Sequence, residues 1–138
     1  NCDWSSDVCS SDLVSDAADL AMFYQALLEG SRGLVSPEAL HSMTADVRNH
    51  FLNDLGVPAN RALGTVVAGD DGSAHLRGLG HSVSPRAFGH NGAAGQIAWA
   101  DPDTGLSFVY LTNGIELNVL TEARRGVSVA SHAGGCAA

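Results

Sequence analysis

Apolar residues recur at three- and four-residue steps near both ends of the chain and in short, nearly continuous runs between them, which separates helices from strands. Leu20, Phe23, Tyr24, Leu27 and Leu28 fall on one helical face, with Ser15 or Asp16 able to cap its start and Gly30 or Gly33 to end it. Ser36-Pro37-Glu38 is a second start signal, with a cap, a proline at the first helical position and an acid in the first turn. It predicts a short helix from Pro37 to about Met43. Residues 45–61 hold Asn, Asp, Gly and Pro without sustained periodicity and read as a connecting loop.

Strand character begins at Leu63. The run Leu63 to Ala68 is followed by the turn signal Gly69-Asp70-Asp71-Gly72, and Ser73 to Leu79 is expected to return as its partner. Two further runs, Gln96 to Ala100 and Leu106 to Thr112, flank Asp101-Pro102-Asp103-Thr104-Gly105. Proline presets the first corner of that turn and glycine tolerates positive φ at its exit. Leu106 to Leu111 is apolar on both faces, which predicts a central strand covered from two sides. Leu120, Ala123, Val127 and Ala130 then predict a closing helix, interrupted at Gly126. The fold class is α+β: an antiparallel sheet with flanking helices. So short a sheet has few partners, so the domain is expected to be incomplete and marginally stable alone.

Composition narrows the function classes. With a net charge of −8 and only 7 basic residues in 138, the chain lacks the clustered cations of a nucleic-acid surface. No apolar run approaches the roughly 18–20 residues of a membrane span. Cys2, Cys9 and Cys136 have no metal-ligand spacing, and neither do His41, His50, His75, His81 and His132, so neither a disulfide framework nor a metal site is expected. Asp101 and Asp103 read as turn formers rather than as a catalytic carboxylate pair, and Trp99, Phe108 and Tyr110, at alternating positions, as core.

The first thirteen residues stand apart. Asp3 to Leu13, DWSSDVCSSDL, has no hydrophobic period and matches, residue for residue, one reading frame of a common short-read sequencing adapter. Residues 1–13 are therefore expected to be translated adapter, and residues 14–138 the native chain.

Chemistry concentrates in Arg86 to Gly95, RAFGHNGAAG, where a histidine sits among small residues just before a strand. Gly89, Gly92 and Gly95 mimic a dinucleotide fingerprint, but such a loop should follow a strand and open a helix. Here it opens into the strand-like Gln96 to Ala100, so no dinucleotide or other cofactor is expected. The glycines also suit a bend or bulge where the strand begins.

From Leu13 or Val14 onward, LVSDAADLAMFYQALLEG, SPEALHSMT and PRAFGHNGAAGQIAWADPDTGLSFVYLTNG together resemble the C-terminal third of the serine β-lactamase-like superfamily, which includes class C β-lactamases, penicillin-binding proteins and family VIII carboxylesterases. The resemblance implies a sheet with flanking helices and a Lys-Thr/Ser-Gly motif on an edge strand beside the active site, with histidine often replacing the lysine in esterase-like members. His90-Asn91-Gly92 matches that motif. By this resemblance His90 would donate to a substrate carboxylate or to the catalytic tyrosine, with a titration near neutral pH making activity pH-sensitive. The Ala93 N–H would be one oxyanion donor, and Asn91, Gly92 and Gly95 would admit the substrate closely. The family's nucleophile is the serine of Ser-x-x-Lys, assisted by a tyrosine of Tyr-x-Asn/Ser. No lysine occurs in this sequence, and Tyr24 and Tyr110 fall within the expected helix and strand. The expectation is thus a C-terminal piece, inactive by itself, of an enzyme acting on a small-molecule ester or β-lactam. A non-catalytic penicillin-recognising protein is the alternative.

Overall fold

The computed structural model describes residues 15–92, 95–114 and 116–137. Helix α1 spans Ala17–Leu28, and the Asp16 carboxylate caps it by accepting the Asp19 N–H at 2.9 Å. Gly30, at φ 82°, turns the chain away. Helix α2 is Pro37–Thr44, with the Ser36 hydroxyl accepting the Ala39 N–H at 3.2 Å. Both caps fall where the sequence puts them, because each satisfies N–H groups that a helix start leaves without a partner.

Four antiparallel strands follow in the order β1-β2-β3-β4: Val66–Val67, Phe88–Asn91, Ile97–Asp101 and Leu106–Tyr110. The β3–β4 turn forms as expected, with Gly105 at φ 71° and its N–H donating to the Asp101 carbonyl at 2.9 Å. The expected return strand Ser73 to Leu79 does not form. Ala74–Arg77 is a 3-10 turn ended by Gly78 at φ 85°, and β1, shorter than the run that predicted it, pairs instead with β2 through Val66↔Gly89 and Val67↔Phe88. The cause is Arg77, which is 4% exposed and draws this segment inward. Its guanidinium donates to the carbonyls of Pro58 and Ala68 at 2.7 and 2.6 Å and to both oxygens of Asp71.

Two apolar layers enclose the sheet. On one face, Tyr24 and Leu27 of α1 pack with Val67, Phe88 and Ala100, and Leu40 and Met43 of α2 border them. On the other, Ala68, Leu79, Ala87, Ile97 and Trp99 gather beneath Ala133 of helix α3, Val119–Gly135. Full burial of Phe88 and Leu79 contributes about 2 kcal/mol each. Trp99 lies tilted against Phe108 at 5.3 Å between ring centroids and is fully buried, so it is core, as its alternating position predicts.

Two further expectations are corrected. Strand β4 is the sheet's margin rather than its centre, and all five of its residues are only half-buried. Its doubly apolar pattern arises because α1 contacts it on one side while Phe108 and Tyr110 join the Trp99 layer on the other. Gly126 does not interrupt α3. A Cβ there would approach Ile97 Cδ1 to 3.3 Å, so the glycine lets an unbroken helix lie close on β3. No helix among the described residues is long and apolar enough to cross a membrane.

Candidate active site

Strand β2 carries the His-Asn-Gly segment out of the core. Alternation along the strand sends His90 to the α1 face with Phe88, and Asn91 to the opposite face. Strand β2 is interior to the sheet rather than an edge strand. Its pairing with β1 stops at Gly89, so His90 and Asn91 have β3 on one side and no β1 partner on the other. The end of this strand is locally an edge.

The half-buried imidazole of His90 is held at both nitrogens. Arg61 Nη1 lies 3.0 Å from Nε2, and Nδ1 lies 2.5 Å from the Asn91 carbonyl oxygen. A guanidinium only donates and a carbonyl only accepts, so these contacts place Nε2 to accept and Nδ1 to donate. Arg61 is itself fixed through its backbone, its N–H donating to Asn49 O at 3.1 Å and its carbonyl accepting from Arg48 N–H at 2.9 Å. Nothing in the local sequence around Arg61 signals this contact, which joins residues 29 apart.

Asn91, Gly92 and Gly95 line a cleft of about 120 Å³ together with Gln96, Gly78, His75, Leu76 and Glu122, Ala123 and Gly126 of α3. His90 does not line it. Gly92 N–H donates to Gln96 O at 2.7 Å, and the Gln96 amide donates to Thr112 O and accepts from Thr112 N–H at 2.9 and 2.8 Å. That side chain acts as an extra rung between β3 and the end of β4. Gly95, at φ 91°, leaves the space that Arg125 Nη2 occupies, 3.1 Å from where a Cβ would stand. Ala93, the expected oxyanion donor, lies outside the described residues.

With the strand, the cleft and its small residues in view, the comparison with known families is decisive: the pattern of the Beta-lactamase family matches residues 5–130. The chain belongs to that family. A search of curated proteins finds no match. The membership assigns the chain to a serine hydrolase lineage and agrees with the α+β sheet described above. Within this Beta-lactamase domain, Asp101 is a structural carboxylate. It is 2% exposed and accepts from Ser84 N–H and Oγ at 2.8 and 2.6 Å, while Asp103 pairs with Arg86 at 2.7 Å.

His75, at the cleft wall, stacks on His81 with ring centroids 4.1 Å apart. Burial first, and the charge of His81 second, hold the His75 imidazolium below its ordinary value of 6.5. A group whose folded value is depressed stabilises the fold above its unfolded value and loses that stability as pH falls. Midpoints of urea unfolding are therefore expected to fall as pH is lowered from above 6.5 into the acid range. A His75→Gln variant should flatten that slope, and an unchanged slope would refute the assignment.

Proposed function

We propose that this chain is the C-terminal part of a serine hydrolase whose intact form cleaves carboxylic esters through an acyl-enzyme. In this reading residues 1–13 are translated sequencing adapter and residues 14–138 are native. The observation that carries the hydrolase reading is a Beta-lactamase-family match over residues 5–130, which takes in residues 14–130 of the part read as native, combined with Asn91 and Gly92 of the His90-Asn91-Gly92 segment lining a cleft at the end of β2. The Ala93 N–H then supplies one oxyanion donor, worth a few kcal/mol to a developing tetrahedral oxyanion. The second comes from the nucleophilic serine.

Histidine at the lysine position favours esters over β-lactams. Arg61 occupies Nε2, so in this reading the positive charge that the family's lysine would bring to this position comes from the Arg61 guanidinium. The chain by itself forms no acyl-enzyme. A nucleophile needs a base within hydrogen-bond reach, and this sequence offers no lysine for that task.

The test is the genomic locus upstream of codon 14. A continuous frame encoding Ser-x-x-Lys and Tyr-x-Asn/Ser is expected there, with no native codons for Asp3 to Leu13. Protein made from the full gene should turn over a chromogenic ester, and the 138-residue chain should stay at the uncatalysed rate. A native frame running straight through residues 1–13, or ester turnover by the chain alone, would overturn the reading. A full gene without Ser-x-x-Lys would favour the non-catalytic penicillin-recognising alternative.

A further inference from the structure

Seven arginines are the whole basic complement of a chain with net charge −8. Arg32, Arg48, Arg77 and Arg86 form ion pairs with Glu29, Asp46, Asp71 and Asp103, and Arg61 donates to His90. Arg124 and Arg125 have no ion pair among the described residues, and they are adjacent on α3. Both line one open groove of about 680 Å³, which runs between α3 and the segment from His75 to His81. The stacked imidazoles of His75 and His81 and the hydroxyls of Ser128 and Ser131 line the same groove. Its remaining lining includes the apolar side chains of Leu55, Leu76 and Val127.

The groove is held in shape. His81 N–H donates to Ser131 Oγ at 2.9 Å, and that hydroxyl donates to Val127 O at 2.6 Å. A Cβ on Gly80 would come within 2.7 Å of Ser131 N, so the His81 segment sits directly on the helix. Cationic and donor side chains thus line one surface that also offers a hydrocarbon floor. Guanidinium groups and imidazoles beside an apolar wall are the chemistry that holds an oxyanion with a carbon body.

We propose that the groove between α3 and the His75–His81 segment binds an amphiphilic organic oxyanion, with its head group on Arg124, Arg125 and the histidine pair and its hydrocarbon part along Leu55, Leu76 and Val127. The groove shares Leu55, His75, Leu76, Ala123 and Val127 with the cleft at Asn91 but does not include His90, and it requires no hydrolysis. It stands or falls separately from the esterase reading.

Nuclear magnetic resonance titration of the 138-residue chain with hexanoate, hexyl phosphate and hexanol tests it. Both anions should perturb the His75, His81, Arg124 and Arg125 resonances in a saturable way, and the stronger of the two identifies the head group. Hexanol should not saturate. Bound anion also favours the imidazolium, so the His75 titration midpoint should rise, against the opposing charges of His81, Arg124 and Arg125 and with Glu122 in the neighbouring cleft held constant. An Arg124→Gln/Arg125→Gln variant should weaken anion binding about tenfold or more, and Arg124→Lys should weaken it less. Both positions are solvent-facing or half-buried, so circular dichroism should show the fold intact. Equal response to hexanol, or undiminished anion binding by the double variant, would overturn the proposal.

Discussion

Replacing Gly89 with alanine is expected to abolish the cooperative unfolding transition of this domain. Gly89 faces Trp99 across β2 and β3, and an added Cβ would stand 2.3 Å from Ala98 O and 2.4 Å from Trp99 Cβ. Cross-strand Cβ atoms normally sit about 4.5–5.5 Å apart, so the two strands approach here as only glycine allows. Backbone cannot yield as a flexible side-chain tip does. Shifting β2 would also displace Phe88 from the α1 layer and His90 from Arg61. Overpacking that forces side-chain and backbone shifts costs roughly 1–3 kcal/mol, occasionally more. In a domain expected to be only marginally stable, and in a chain that leaves Phe51, Leu117 and Leu120 more than three-quarters exposed, that loss is decisive. Gly135→Ala is the control. Nothing lies within 4 Å of a Cβ there, and alanine in the last turn of α3 should be neutral or stabilising by up to about 1 kcal/mol. Equal thermal transitions for Gly89→Ala and the parent chain would refute the close strand approach.

Arg77→Met is expected to cost about 3–5 kcal/mol, because it removes a buried cation and strands its acceptors. The guanidinium ties Pro58 O, Ala68 O and the Asp71 carboxylate to one point, joining the loop before β1, the end of β1 and the turn beyond it. Methionine fills a similar volume but donates nothing. The two carbonyls would be left without their donor, whereas Asp71, whose side chain is 38% exposed, would turn to water. Most of the loss therefore comes from the carbonyls and little from the ion pair. Arg77 also holds the Asp71 carboxyl far below the usual carboxylate range. In Arg77→Met that group should return toward its ordinary value of 3.8, readable by carboxyl titration. Lysine should rescue only in part, since one ammonium cannot span all three acceptors. A denaturant midpoint for Arg77→Met close to that of the parent would contradict this account.

The sequence was most readable where the physics is local. Both helix starts were visible because a capping side chain and its N–H partner lie three residues apart, at Asp16–Asp19 and Ser36–Ala39. The β3–β4 turn was equally plain, since Pro102 and Gly105 constrain only their own dihedrals. The second strand was misplaced for the opposite reason. Nothing in Ser73 to Leu79 announces that Arg77 will be buried by acceptors up to 19 residues away, and a propensity argument cannot weigh such a contact.

The site divides along the same line. His90, Asn91, Gly92 and Gly95 stood out as a small-residue run before a strand, and their resemblance to a family motif named the lineage. That one strand turns His90 toward Arg61 and Asn91 toward the cleft follows from alternation once the strand is known. Arg61, Gln96 and the stacked His75 and His81 acquire their roles from partners distant in the chain or from the layer they pack against. The amino-acid order by itself thus determined the local elements, the class and the lineage, through periodicity, caps and turn residues acting within a few positions. Only the tertiary structure decided which strand pairs with β1, which residues meet across the cleft and which arginines form ion pairs among the described residues, because these depend on contacts whose partners folding alone brings together.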